Sequence, residues 1–157
     1  MKILFICSSN VCRSPFSEFV FKRIVDGDEK LKSKIEWVRS AAVLNKSRRL
    51  HKKAFQSLSA RGFDEKVLRE FKPSYILCDR ALFDDADMIV GMAAAHKTLL
   101  PIKYKKKFRL LSSVAGEENK SIPDPFLKKT QDEYEVVMRV IEDYLLKFAE
   151  RMKNGEE

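Results

Sequence analysis

Apolar positions in the first 26 residues change period once. Ile3 to Ile6 make an unbroken apolar run in "KILFIC", the mark of a strand buried on both faces. Apolar residues then return at helical spacing, at Phe16, Phe19, Val20 and Ile24, and Pro15 suits a first helical turn. Further short β-branched and apolar runs predict strands over Lys2–Ile6, Ile35–Arg39, Met88–Met92 and Phe108–Val114. "HKKAFQSLSARG" reads as a helix stopped by Gly62. Tyr134, Val137, Met138, Ile141, Leu145, Phe148 and Met152 form one long helical stripe, the pattern of core packing against a sheet. The stretch 63–86 is harder to place and predicts one or two short helices with a break at Pro73. Strands alternating with helices predict an α/β fold, a parallel sheet covered on both faces, in one domain over 1–157. Ligands in such folds sit beyond the carboxyl ends of the strands, and the first such end is Ile6-Cys7.

Composition narrows the class. With 157 residues, 45% hydrophobic and 34% charged, the chain is long enough for a hydrophobic core and is not of disordered type. No apolar run reaches the length of a membrane span, and Ile3–Cys7 is too short for a signal-peptide core. The expectation is a cytoplasmic protein with reduced thiols and no membrane partner. Three cysteines do not make a disulfide framework; His51 and His96 are far apart and no C-x₂-C occurs, so no metal or other cofactor is expected. Cys78 has no motif around it and reads as a core residue. The net charge of +8 gathers in "KSRRLHKK" at 46–53 and "KYKKKFR" at 103–109. Such clusters are either solvated faces or attractors of anionic partners, and charge alone does not separate these.

The turn "CSSNVCRS" carries the chemistry. A loop between a strand and a helix can aim successive backbone N–H groups at one point, and the helix N-terminus adds its dipole, making a cradle for a tetrahedral oxyanion. A cysteine at the base of that cradle, Cys7, sits in a field that favours its thiolate and makes it a nucleophile. Arg13 can present a planar fork to two phosphate oxygens. Ser14 can hydrogen-bond inward to the thiolate, and Asn10 can brace the loop.

This turn resembles the phosphate loop of the low-molecular-weight protein tyrosine phosphatases, V-C-x-G-N-x-C-R-S-P. Cys7, Asn10, Cys12, Arg13, Ser14 and Pro15 match in place, while Ile6 stands for valine and Ser9 for glycine. If that glycine position has positive φ, Ser9 must carry strain or shift the loop. The family's D-P-aromatic motif is matched by "SIPDPF", with Asp124 ahead of the last amphipathic stretch, and "RSAAV" resembles the segment whose serine, here Ser40, supports the loop asparagine. The resemblance implies a three-layer α/β/α fold with a central four-stranded parallel sheet in flavodoxin-like order. It implies cysteine-dependent, metal-free phosphomonoester hydrolysis, with Cys7, Arg13 and Asp124 catalytic and Ser8, Ser9, Asn10, Val11, Cys12, Arg13 and Ser14 holding phosphate. It also implies that Cys12 can capture an oxidised Cys7 as a reversible disulfide; simple loop packing is the alternative.

Substrate class is less marked. Thioredoxin-coupled arsenate reductases of this fold need a further cysteine pair, with one just after the third strand, where "IVGMAAAHK" has none. Phosphoarginine phosphatases of the family typically carry threonine where Val11 stands, so the loop resembles the tyrosine-directed members. Phe126 can form one wall of a phenyl slot, although Leu127 replaces a second aromatic. The loop after Ser40 offers Lys46, Arg48 and Arg49 in place of aromatics, with Lys46 expected as a substrate wall beside Phe126, which points to acidic sequence around the phosphosite. The segment 63–73 is longer than the family norm, with Phe71 and Lys72 where relatives often carry His-x-Ala-Arg-Gln. The partner expected is a phosphorylated protein or small phosphomonoester. The non-enzymatic alternatives are a basic nucleic-acid-binding module, which does not explain Cys7, Arg13 and Asp124 together, and a thiol switch built on Cys7 and Cys12.

Overall fold

The computed structural model describes residues 1–156. Four strands, β1 (Lys2–Cys7), β2 (Trp37–Ala42), β3 (Met88–Gly91) and β4 (Phe108–Leu110), pair in parallel in the order β2-β1-β3-β4. Between them run α1 (Arg13–Asp26), α2 (Glu29–Lys34), α3 (Lys52–Ala60), α4 (Glu65–Glu70) and α5 (Arg80–Asp85). The remainder are α6 (Ala94–Leu99), α7 (Ile102–Lys105), α8 (Leu111–Val114), a 3₁₀ turn at Pro125–Leu127, and α9 (Gln131–Asn154).

Strand periodicity sorts these helices into two layers. Side chains alternate across a strand, so Ile3 and Phe5 face one way and Leu4 and Ile6 the other. Ile3 and Phe5 join a core with α1, α2, α3, α4 and α9, through residues such as Phe21, Leu31, Leu58, Leu68 and Ile141. Phe21 of α1 stacks on Phe148 of α9 at 5.2 Å and meets Phe5 edge-on at 5.6 Å. Leu4 and Ile6 pack instead with Phe83 of α5 and Tyr104 of α7. The three-layer α/β/α arrangement thus follows from one period-2 strand between two apolar helix sets. All seven residues of the predicted α9 stripe are buried. Thr130 and Glu133 close a capping box at its start, and Gly155 ends it in a left-handed conformation. Gly91 is required by close approach: a Cβ there would lie 2.3 Å from the Phe108 ring.

Several sequence expectations move. The second strand, expected over Ile35–Arg39, runs from Trp37 to Ala42, because Ile35 closes α2 through its N–H on Leu31 O (2.8 Å). Ser40, Ala41 and Ala42 lack strand-forming side chains, yet they pair with Phe5, Ile6 and Cys7 and are buried; tertiary burial overrides propensity here. The α2 helix had no periodic signal, being six residues long, and is set by Asp28 capping the amides of Lys30 and Leu31. The fourth strand stops at Leu110; Leu111–Val114 form a helical turn, and the Ser112 hydroxyl closes the following loop by bonding both N–H and C=O of Lys120. The 63–86 segment holds two short helices, α4 and α5, on either side of Pro73. Cys78 is exposed and not a core residue, since it lies in the tight turn where its own N–H and that of Asp79 bond Tyr75 O. No helix is long and apolar enough to cross a membrane among the described residues.

Candidate active site

The carboxyl end of β1 delivers the chain into the loop Cys7–Cys12, and α1 begins at Arg13. The loop's carbonyls are pinned outward. Cys7 O accepts from Val43 N (3.1 Å), Ser8 O from the amides of Leu44 and Asn45 (3.0 Å each), and Val11 O from His51 N (3.1 Å). The amides of Ser9, Asn10, Val11 and Cys12 make no intrachain hydrogen bond among the described residues. Carbonyls turned out and N–H groups left over at a helix start make an anion-binding nest.

Asn10 is the one non-glycine residue with positive φ, at 54°, among the described residues. The strain expected at Ser9 is therefore absent: the left-handed position falls one residue later, on a type that tolerates it. Ser9 is exposed enough to hydrogen-bond Asn45, whose Nδ2 donates to its Oγ at 3.1 Å. Asn10 is fully buried and shares its amide among three partners. Its Nδ2 donates to Ser14 Oγ and Ser40 Oγ, each at 2.8 Å, and its Oδ1 accepts from Ser74 N at 3.0 Å. Ser40 Oγ in turn donates to Glu18 Oε2 at 2.5 Å, and Glu18 Oε1 accepts from Lys22 at 2.6 Å. Proton directions follow from this chain. Glu18 takes the Ser40 proton and Ser14 Oγ accepts from Asn10, which leaves the Ser14 proton free; toward a Cys7 thiolate, which has none to give, the Ser14 hydroxyl is the donor across 3.0 Å. Glu18 and Ser74 had no place in the sequence reading. The segment 63–73 leads directly to the Ser74 amide, and its Phe71 packs on Phe19 at 5.6 Å.

Arg13 is buried, with 4% of its surface exposed, and reaches across to the 120s. One terminal nitrogen donates to Ile122 O (2.9 Å); the other meets Asp124 Oδ2 at 3.2 Å. Ile122 N donates to Met92 O (2.7 Å), so the segment before Asp124 is tied to the end of β3. The other carboxylate oxygen of Asp124 accepts from Phe126 N (3.0 Å) and caps the 3₁₀ turn. Pro125 at the start of that turn is what the D-P-F sequence signalled. Cys7, Cys12, Arg13 and Asp124 therefore share one cleft of about 290 Å³, walled by Leu44, Asn45, Val11 and Phe126. Lys46, expected as a wall, is exposed and outside the lining, because the two residues before it are the ones turned back onto the loop by Ser8 O.

Two further side chains frame the loop. Burial pushes the Cys12 thiol up to about 12, against a smaller lowering by the Tyr134 hydroxyl. Tyr134 is itself buried, its hydroxyl makes no hydrogen bond among the described residues, and burial pushes it upward too. All three cysteines are free thiols. His96 of α6 is buried; its Nδ1 accepts from Ala93 N (3.2 Å), so Nε2 carries the proton and donates to Ser8 Oγ (3.3 Å). Burial, then the Arg13 charge, lower it to about 4. Between the ordinary value of 6.5 and about 4 the unfolded chain binds a proton that the folded chain refuses, so stability falls as pH falls through that window. His96→Gln keeps a donor toward Ser8 and removes the titration. Urea unfolding from about pH 7 to about pH 4.5 is expected to show wild type losing ~2 kcal/mol more than the variant. Parallel losses in the two proteins would refute this.

No cluster of three or more His, Cys, Asp or Glu side chains is placed to hold a metal ion among the described residues.

The family model described as "Low molecular weight phosphotyrosine protein phosphatase" matches residues 2–157. A protein-arginine-phosphatase of Bacillus subtilis is 29% identical over 158 residues, 94% of this chain and 98% of that protein. A low molecular weight protein-tyrosine-phosphatase, PtpB of Staphylococcus epidermidis, is 31% identical over 130 residues, 80% of this chain and 81% of its own. In fold, the chain superposes on a crystal structure of a YwlE mutant from Bacillus subtilis with a TM-score of 0.81 at 24% identity, covering 98% of this chain and 99% of that one. A low molecular weight protein tyrosine phosphatase from the same species superposes with a TM-score of 0.79 at 24% identity over the whole of both chains.

Proposed function

Because this chain belongs to the low-molecular-weight phosphotyrosine protein phosphatase family, we propose that it hydrolyses phosphotyrosine in proteins, in the cytoplasm, through a phosphocysteine at Cys7. The observation that carries the reading is the aligned chain Glu18–Ser40–Asn10–Ser14–Cys7, which points a hydroxyl donor at the sulfur inside the cleft that Arg13 and Asp124 enter. The Cys7 thiolate attacks phosphorus as the bond to the leaving oxygen breaks. Asp124 gives that oxygen its proton, so a neutral alcohol departs. The free amides of the loop and the Arg13 guanidinium hold the three equatorial oxygens as charge grows on them. Asp124 then takes a proton from water, whose oxygen bonds phosphorus while the S–P bond breaks, releasing inorganic phosphate and the thiolate. Loop and arginine supply the positive charge, so turnover of para-nitrophenyl phosphate persists in EDTA; its loss on chelation would overturn the metal-free reading.

Cys12 fills the floor of the loop in this reading. Its thiol must ionise to attack an oxidised Cys7, and burial opposes that ionisation.

Tyrosine is preferred on the chemistry of the walls. Leu44, Val11 and Phe126 present apolar surface to a phenyl ring, and the one carboxylate lining the cleft among the described residues, Asp124, is already held by Arg13 and the Phe126 amide. A cationic guanidine leaving group would find no second carboxylate there. One finding favours phosphoarginine, the full-length match to a protein-arginine-phosphatase. Peptides identical but for phosphotyrosine or phosphoarginine decide between them. Wild type is expected to favour phosphotyrosine by about tenfold or more in kcat/KM, and Val11→Thr, which puts a hydroxyl in the wall, to lower that ratio by about fivefold. A wild-type preference for phosphoarginine would reverse the assignment.

A further inference from the structure

A groove of about 1010 Å³ opens directly off the cleft and shares Ser9, Val11 and Phe126 with it. Its charged lining is of one sign: Arg48, Arg49, Lys52 and Arg69, with no carboxylate among the lining residues. Arg69 is paired with Glu65 at 2.9 Å, whereas Arg48, Arg49 and Lys52, all exposed, form no ion pair among the described residues. A merely solvated basic face would end at that rim. Here the rim stands over an apolar floor of Leu50, Phe55 and Leu68, two of them buried and Phe55 half-buried. The wall is anchored on the phosphate loop itself by the His51 amide on Val11 O, so whatever lies in the groove is held in register with the cleft.

We propose that this groove receives the polypeptide segment next to the phosphorylated residue of a protein substrate, selecting acidic side chains for the rim and an apolar one for the floor. The proposal rests on the phosphatase reading of the adjoining cleft. Like charges at Arg48, Arg49 and Lys52 are left uncompensated in the free protein, and a run of aspartates or glutamates supplies the compensation on binding. An apolar side chain between them covers the part of the Phe55 ring that otherwise faces water. A single-stranded nucleic acid fits less well, because successive bases need a row of open aromatic faces, and with Arg69 over Phe55 at 5.5 Å the groove offers Phe126 alone as an exposed aromatic ring among the described residues.

The test uses phosphotyrosine peptides with acidic-apolar, neutral or basic flanks, with para-nitrophenyl phosphate as the small substrate that cannot reach the groove. The acidic peptide is expected to exceed the neutral one by about tenfold in kcat/KM at low salt, and the advantage to shrink as salt screens the rim. Arg48→Glu with Arg49→Glu is expected to abolish that preference and leave para-nitrophenyl phosphate turnover within about twofold of wild type. An acidic preference that survives the double variant, or no preference with small-substrate turnover intact, overturns the groove. Failure of para-nitrophenyl phosphate turnover in wild type sinks the catalytic reading instead. The groove is then judged by fluorescence anisotropy, where equal affinity for the acidic and neutral peptides overturns it. Tighter binding of an oligouridine than of the acidic peptide would also overturn it.

Discussion

Cys7→Ser loses turnover of para-nitrophenyl phosphate by about five orders of magnitude while inorganic phosphate still binds. The two halves of this result have separate causes. Serine keeps the size of the residue at the end of β1 and the hydrogen bond to Ser14 Oγ, 3.0 Å from the sulfur. The loop carbonyls remain fixed by Val43, Leu44, Asn45 and His51, so the amides and Arg13 still present the same cradle to an oxyanion. What disappears is the nucleophile: a serine hydroxyl does not ionise near neutral pH, and among the described residues no histidine or lysine lines the cleft beside it as a base. His96 of α6, whose side chain bonds the loop at Ser8, already gives its Nε2 proton to Ser8 Oγ and accepts at Nδ1 from Ala93. Steady-state turnover in EDTA and phosphate titration by calorimetry read the two quantities independently. Retained turnover would show that the attacking atom lies elsewhere, and lost phosphate affinity with normal folding would show that the sulfur, not the loop, holds the anion.

The loop that carries this expectation was legible because its chemistry is local. Cys7, Asn10, Arg13 and Ser14 lie within eight residues of one strand-to-helix turn, and Pro125 marks the 3₁₀ turn that Asp124 caps. The unbroken apolar run of β1 and the stripe of α9 marked a sheet covered by helices for the same reason, since each is a pattern within one element. What escaped notice depends on contacts between distant segments. Glu18 lies on α1 with an ordinary helical sequence around it, and only the meeting of α1 with β2 at Ser40 makes it the end of a hydrogen-bonded chain. Ser74 acts through a backbone amide, which leaves no residue-type signal at all. The expected strain at Ser9 was misplaced by one position for a related reason. A motif gives residue types, but which peptide turns left-handed is decided by the buried partners of Asn10. Lys46 failed as a wall because charge pattern says nothing of direction: the chain turns at Leu44 and Asn45, and the lysine beyond them faces solvent.

Asp124 is where leaving-group chemistry separates proton transfer from loop order. Removing its carboxyl by Asp124→Ala is expected to lower kcat/KM for a phosphotyrosine peptide by about 10³ and for para-nitrophenyl phosphate by about tenfold. The phenol of tyrosine, with a pKa of about 10, needs a proton to leave, whereas a nitrophenolate departs as the anion. Asp124 has structural work as well, since one oxygen pairs with Arg13 at 3.2 Å and the other caps the turn on Phe126 N at 3.0 Å. A comparison with Asp124→Asn isolates the two. Asparagine keeps a cap acceptor for Phe126 N and a group of the same shape beside Arg13, but it has no proton to give. The loss shared by Ala and Asn is therefore the acid, and any further loss in Ala is the freed turn, whose cap is worth about 1 kcal/mol. Single-turnover measurements across a series of substituted phenyl phosphates give the decisive slope. The variants are expected to show a steep dependence on leaving-group pKa where wild type is nearly flat. Equal losses for good and poor leaving groups would move the acid away from Asp124, and the pairing with Arg13 would then stand as its whole role.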